Sequence, residues 1–306
     1  MQRHERLFRA MGGPCSVQVY AADATSADFA LSAAEAEVRR IESKYSRYRD
    51  DSVVARINAA AGSGRDVAID AETAQLLAIA ARLHEQSDGR FDITSGVLRR
   101  VWDFQSAQPP AAAAVADVLA LIGWQQVHWS PQHVQLGQPG MELDFGGFGK
   151  EYAADRAAAV LVACGIRHGL VELGGDISVV GPHPDGSPWL IGIQHPRQPG
   201  QVLASIALTQ GGLATSGDYE RCIVTPDRRY SHILDARNGW PVDGLASLTV
   251  TAPQCLLAGA ACTLGMLQGQ GATDWLADCP YPWLAVTREL KLHGTLAVAV
   301  AEENQT

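Results

Sequence analysis

The stretch L-V-E-L-G-G-D-I-S-V-V, Leu170 to Val180, decides the fold. Two β-forming runs are separated by Gly174-Gly175, and a two-residue glycine turn joins antiparallel neighbours because both of its central residues take positive φ. Parallel strands would need a crossover of a dozen residues or more. Outward from this hairpin, strands are predicted at 15–20, 141–144, 189–194, 205–208, 222–224, 230–234, 246–251, 283–287 and 295–300. Most follow one another without an intervening helix. The order predicts an α+β protein, with mixed, largely antiparallel sheets packed with helices, rather than a doubly wound parallel sheet.

Helices are announced by caps and by apolar spacing. Thr25 or Ser26 caps a helix ending near Tyr45, with Phe29, Ala33, Val38, Ile41 and Tyr45 on one face. Asp70 caps a second that carries Leu76, Leu77, Ala80 and Leu83 and stops at Ser87-Asp88-Gly89. Two more are predicted at 150–164, closed by Gly165, and at 256–267. Pro109-Pro110 and the alanines through Ala114 read as a surface linker that leads into a short helix closed by Gly123.

A chain of 306 residues, 47% apolar, can fill a core as one domain over 1–306 or as two lobes around a cleft. Lys and Arg number 24 against 33 Asp and Glu, a net charge of -9, so no basic surface is expected to bind nucleic acid. Apolar stretches such as Ala157 to Cys164 fall far short of the roughly 20 residues of a membrane span. The N-terminus lacks the apolar run of a secretory signal, and a cytoplasmic location is expected. The six cysteines form no C-x-x-C pair and read as free, mostly buried thiols.

Two stretches can carry chemistry. In D-F-G-G-F-G-K-E-Y-A-A-D, Asp144 to Asp155, glycines precede a helix whose first turn holds Lys150. A cation there opposes the helix dipole, and a bound anion would resolve the conflict. The spacing is neither G-x-G-x-x-G nor a Walker loop. In the second stretch, T-S-G-D-Y-E from Thr215 is followed by Y-S-H-I-L-D-A-R-N-G-W-P from Tyr230. Ser216, His232 and Asp235 are the residue types of a hydrolase triad, but no G-x-S-x-G elbow surrounds the serine. His232 and Asp235 fall on opposite faces of a strand and need a bend to converge. His128, His133, His183 and His195 have no partners at zinc spacing.

In order, these pieces resemble one family over nearly the whole chain, the ApbE-like flavin transferases. The resemblance is carried by Met11-Gly12, S-R-Y-R-D-D-S-V-V-A-R-I-N from Ser46, G-R-F-D-I-T-S-G-V-L with Trp102, D-F-G-G-F-G-K-E-Y-A-A-D, V-E-L-G-G-D-I, A-T-S-G-D-Y-E and S-H-I-L-D-A-R-N-G-W-P-V. It implies an FAD:protein FMN transferase in which a Ser or Thr hydroxyl of a partner flavoprotein attacks the FMN-side phosphorus of FAD, AMP leaves, and Mg²⁺ sits at the pyrophosphate. By position, Met11, Tyr48, Arg90, Phe91, Asp92, Asp144, Lys150 and Ile233 would line the FAD site. His232 and Asp235 would handle the proton of the attacking hydroxyl. The metal ligands would be the Gly147 carbonyl and Thr263.

At the metal site the chain departs from the family pattern. Leu256-Leu257-Ala258-Gly259-Ala260-Ala261-Cys262-Thr263 keeps the threonine but has Gly259 where the family has aspartate, and Leu256 one turn earlier. Neutral oxygens alone hold Mg²⁺ poorly, since Mg²⁺ favours one or two carboxylates. Another acid, such as Asp176 or Asp218, could supply the charge, and Gly259→Asp is expected to strengthen metal binding. Three activities stay open: FMN transfer, flavin binding without transfer, and hydrolysis of FAD to FMN and AMP.

Overall fold

An eight-stranded antiparallel sheet forms the spine of the computed structural model, which describes residues 1–296. Its strands are β1 (Gln2–Ala10), β2 (Gly13–Ala21), β3 (Gly169–Leu173), β4 (Asp176–Gly181), β5 (Gly211–Gly217), β6 (Leu245–Ala252), β7 (Trp283–Thr287) and β8 (Leu292–His293). They lie side by side in that order, each antiparallel to the next. The α+β expectation holds. Among the described residues, the other elements before Leu292 are insertions between consecutive strands.

The sheet's character runs from edge to centre. β6 is buried along its whole length, whereas β1 carries Arg3, Glu5, Arg6 and Arg9 on the open edge, where charge discourages pairing with another chain. That charge also hid β1 from the apolar periodicity. β1 and β2 turn at Met11 and Gly12, with φ of 54° and 81°, and β3 and β4 turn at Gly174 and Gly175, with φ of 61° and 93°. Gly174 N–H donates to Pro14 O at 3.0 Å, so both tight turns meet at one end of the sheet.

The long insertion between β2 and β3 holds α1 (Ala24–Tyr45), α2 (Val53–Ala59), α3 (Ala71–Gln86), a 3₁₀ helix (Ile93–Arg100), α4 (Ala112–Leu119) and α5 (Gly149–Ala163). Asp70 caps α3 as expected, its carboxylate accepting Thr73 N–H at 3.0 Å. α1 starts two or three residues earlier than expected because Asp23 caps it, accepting Ser26 N–H at 2.8 Å. Its buried face is Ala27, Ala30, Leu31, Ala34, Val38, Ile41 and Tyr45, which leaves Phe29 68% exposed, against expectation.

Two expected strands differ. Met141 to Asp144 buries Met141 and Leu143 but joins no sheet. The Asn58 side-chain amide satisfies both backbone groups of Leu143, at 2.7 and 3.1 Å, and Asp144 N–H donates to Ile93 O at 2.8 Å. The run at 230–234 breaks into Arg229–Ser231 and Leu234–Asp235, each paired in a separate hairpin, with His232 and Ile233 between them. The strand expected over 295–300 lies mostly outside the described residues.

Between β6 and β7 comes α6 (Cys255–Leu267), and Asp155 fixes where it lies. The Asp155 carboxylate, on α5, accepts the N–H groups of Cys255 and Leu256 at 2.9 Å each and the Ser178 hydroxyl at 2.9 Å. Gln254 offers no side-chain cap of its own, so an acid from a neighbouring helix satisfies the free donors of α6.

Candidate active site

The insertions enclose a cleft of about 2390 Å³ beside the two tight turns. Met11, Tyr48, Arg90, Phe91, Asp92, Asp144, Gly147, Lys150, His232, Ile233 and Thr263 all line it. Asp235 does not.

On one wall every carboxylate has a partner. Arg47 forms an ion pair with Asp144, whose other oxygen accepts Gly146 N–H at 2.9 Å, and Arg47 also lies 4.9 Å from the centre of the Tyr48 ring. Asp92 is buried and fully engaged: Oδ1 accepts Thr94 N–H at 2.8 Å and its hydroxyl at 2.7 Å, and Oδ2 accepts Trp124 N–H at 2.9 Å. It holds the loop rather than offering a free acceptor to the cleft. Glycines admit these contacts. A Cβ on Gly96 would stand 2.9 Å from Asp144 Cβ, and one on Gly147 would stand 2.7 Å from the Phe91 ring.

A second wall is built by α5 and α6. Lys150 Nζ lies 2.7 Å from Asp176 Oδ2; burial would depress the ammonium, but Asp176 and Glu151 outweigh it and raise its pKa. Thr263 Oγ1 lies 3.5 Å from the Gly147 carbonyl oxygen, a contact long enough that the carbonyl keeps its acceptor capacity. Glu151, one position past Lys150, is buried, and its Oε2 has no hydrogen-bond partner. Burial and the nearby Asp176 push its pKa up.

Gly259 faces Glu151. A Cβ built on Gly259 would fall 2.5 Å from Glu151 Cγ and 2.6 Å from Oε1, so the glutamate occupies the space that a side chain at 259 would enter. The other acids considered from sequence are committed elsewhere. Asp176 pairs with Lys150, and Asp218 makes a two-point pair with Arg197 at 2.6 and 2.8 Å. Among the described residues no three His, Cys, Asp or Glu converge on a metal. A carbonyl, a hydroxyl and one orphaned buried carboxylate are nonetheless hard oxygen donors that fit Mg²⁺, which takes its remaining ligands from water and substrate phosphates.

His232 sits in the break between the two short strands. Its backbone N–H donates to Arg221 O at 3.0 Å, while Nδ1 is buried without a partner. Burial, with Arg221 and Lys150 adding to it, lowers its pKa to about 4, so the ring is neutral at pH 7. Asp235 does not join it. The Asp235 carboxylate accepts Arg237 N–H at 3.0 Å and pairs with the Arg237 guanidinium at 2.7 Å, which makes it the holder of its own turn. The strand break separates the two residues instead of bending them together.

A profile of the ApbE family matches residues 11–284. The chain belongs to the ApbE family. The FAD:protein FMN transferase of Treponema pallidum is 31% identical over 289 residues, covering 88% of this chain and 80% of that protein. That of Haemophilus influenzae is 30% identical over 235 residues, covering 73% and 68%. Among solved structures, the ApbE protein of Thermotoga maritima is 30% identical and superposes with a TM-score of 0.85 over 97% of this chain and 98% of its own. Two cleft residues, Arg47 and Glu151, are not among those the sequence singles out. Arg47 lies in the polar stretch from Ser46 to Asn58, which reads as a solvated loop. Glu151 had a legible signal, because helical spacing puts it on a face with Ala154, Ala158 and Leu161, and an acid on a buried alanine face needs a partner.

Proposed function

We propose that this ApbE-family chain is an FAD:protein FMN transferase that moves FMN from FAD to a Ser or Thr hydroxyl of a partner flavoprotein and releases AMP. The observation that carries this reading is a neutral histidine, His232, lining the same cleft as the glycine turn and Lys150. At 2390 Å³ the cleft exceeds the roughly 300–1,000 Å³ of ordinary small-ligand sites, leaving room for a dinucleotide and an approaching protein segment.

The residues divide the task. Met11, Tyr48, Phe91 and Ile233 offer soft and aromatic surface to the rings of FAD, Arg90 adds a cation at the rim, and Asp144 offers hydrogen-bond acceptors. His232 takes the proton of the acceptor hydroxyl as its oxygen bonds to the FMN-side phosphorus. The bond from that phosphorus to the bridging oxygen breaks, and AMP departs with the oxygen and its electron pair, close to the Lys150 ammonium. Mg²⁺ held at the Gly147 carbonyl and Thr263 would neutralise charge on the pyrophosphate.

Incubation with FAD, Mg²⁺ and a flavoprotein bearing an acceptor Ser or Thr, followed by intact-mass analysis, tests this. The expected result is an acceptor heavier by one FMN, dependent on His232. AMP released equally fast without acceptor and no mass gain would establish hydrolysis instead. FAD bound but unchanged would establish a carrier.

A further inference from the structure

We propose that Glu151 of α5, rather than any residue of α6, supplies the carboxylate ligand of the divalent cation in this chain. The inference rests on the transferase reading for the existence of that cation, but the choice of ligand comes from the packing of two helices. The acid has moved across the α5–α6 interface: Gly259 has none, and the Glu151 carboxylate fills the space above Gly259. Its Oε1 lies 2.6 Å from the site of the missing Cβ, close to the separation of an aspartate's own Cβ and carboxylate oxygens.

Three features single out Glu151. First, it is 7% exposed and lines the cleft, yet Oε2 is sealed from solvent without a partner, a costly state for a carboxylate unless a ligand completes it. Second, its neighbours are already engaged. Lys150 pairs with Asp176, and Asp155 holds the N-terminus of α6, so no group beside Glu151 completes Oε2, and a bound cation would favour the ionised carboxylate there. Third, the neutral oxygens stand on either side of it in the chain. Gly147 lies four residues before Glu151, Thr263 lies one helical turn after Gly259, and their oxygens are 3.5 Å apart.

The packing also reverses what the sequence suggests about Gly259→Asp. That substitution would drive a second carboxylate into the first, so alone it should harm the site. Together with Glu151→Gly it should return the acid to α6.

The test reads metal binding apart from catalysis. Mn²⁺ is titrated, with free ion followed by its paramagnetic resonance signal, into the FAD-bound wild type, Glu151→Gln, Gly259→Asp, and Glu151→Gly with Gly259→Asp. FAD affinity is measured separately in EDTA. Outer partners of metal ligands alone are worth about 10–100-fold in affinity, so loss of a direct ligand should weaken Mn²⁺ by about 100-fold or more. Glu151→Gln is expected to show that loss with FAD affinity in EDTA unchanged, Gly259→Asp to gain nothing, and the double exchange to recover most of the affinity. Wild-type Mn²⁺ affinity in Glu151→Gln would overturn the proposal, as would a wild type that binds no Mn²⁺ with FAD present. Glu151-dependent Mn²⁺ binding in a wild type that transfers no FMN would support the ligand and defeat the transferase reading, so the two can fail separately.

Discussion

The two walls of the cleft are made of the same residue types but are satisfied to different degrees. On the wall of Arg47, Asp92 and Asp144 each carboxylate has its partners within the protein. On the wall of α5 and α6, Glu151 Oε2 has none, and His232 Nδ1, which lines the same cleft, has none either. A satisfied polar wall is rigid before the ligand arrives and lowers the ordering cost of binding. Unsatisfied buried groups carry a penalty that only a ligand, proton or ion removes. On the proposed reading, binding belongs to the first wall and reaction to the second.

Replacing a group of the reactive wall should give the largest effect. His232→Ala is expected to slow FMN transfer by about 10²–10⁴-fold, the usual worth of a positioned general base, with FAD affinity nearly unchanged by fluorescence titration. Loss of FAD binding in step with activity would erase the division between the walls. The same group sets a pH signature. Its folded pKa of about 4 lies below the ordinary 6.5, so the acid limb of the transfer rate should fall near pH 4 rather than near 6.5. In stability the sign follows the same depression. The unfolded chain takes the proton first as pH falls, so the contribution of the buried neutral ring is complete above about pH 6.5 and is lost as pH drops toward about 4.

Next in size come changes to the α5–α6 packing. Gly259→Asp, in contact with Glu151, should cost about 1–3 kcal/mol of stability as overpacking, seen as a lower urea midpoint. A stabilised variant would mean that the glutamate leaves its place easily and does not fill the space above Gly259. Asp155→Ala should cost about 1–2 kcal/mol by removing the cap of α6, and Asp155→Asn less, since one oxygen can still accept. The smallest effect belongs to neither wall. Phe29→Ala should change stability by no more than about 0.5 kcal/mol, because the ring is exposed, and a larger loss would show that the helix face was misplaced.

Local rules made much of this molecule legible, and tertiary partners decided the rest. The Gly174-Gly175 hairpin and the Asp70 cap are set by φ preference and by a side chain bonding its own turn, both short-range. Periodicity put Phe29 inside because a large ring dominates a hydrophobic pattern, whereas α1 packs through the small residues Ala27, Ala30 and Ala34 that let the helix approach closely. β1 was illegible because an edge strand needs charge. Met141 to Asp144 had the composition of a strand, but the backbone of Leu143 is satisfied by Asn58, far away in sequence, and Asp144 N–H by Ile93. At the candidate site, motif order located the cleft. It could not tell that Asp235 is held by Arg237, or that an acid lost at 259 faces an acid at 151, since each depends on which side chains meet across helices and turns.

The division between the walls is tested most directly by FAD affinity, measured by flavin fluorescence with and without Mg²⁺ in wild type, Asp144→Ala and Glu151→Gln. The expected result is that Asp144→Ala weakens FAD binding equally with and without Mg²⁺, while Glu151→Gln matches wild type in EDTA and loses only the response to Mg²⁺. Equal weakening of metal-free FAD binding by both substitutions would contradict it.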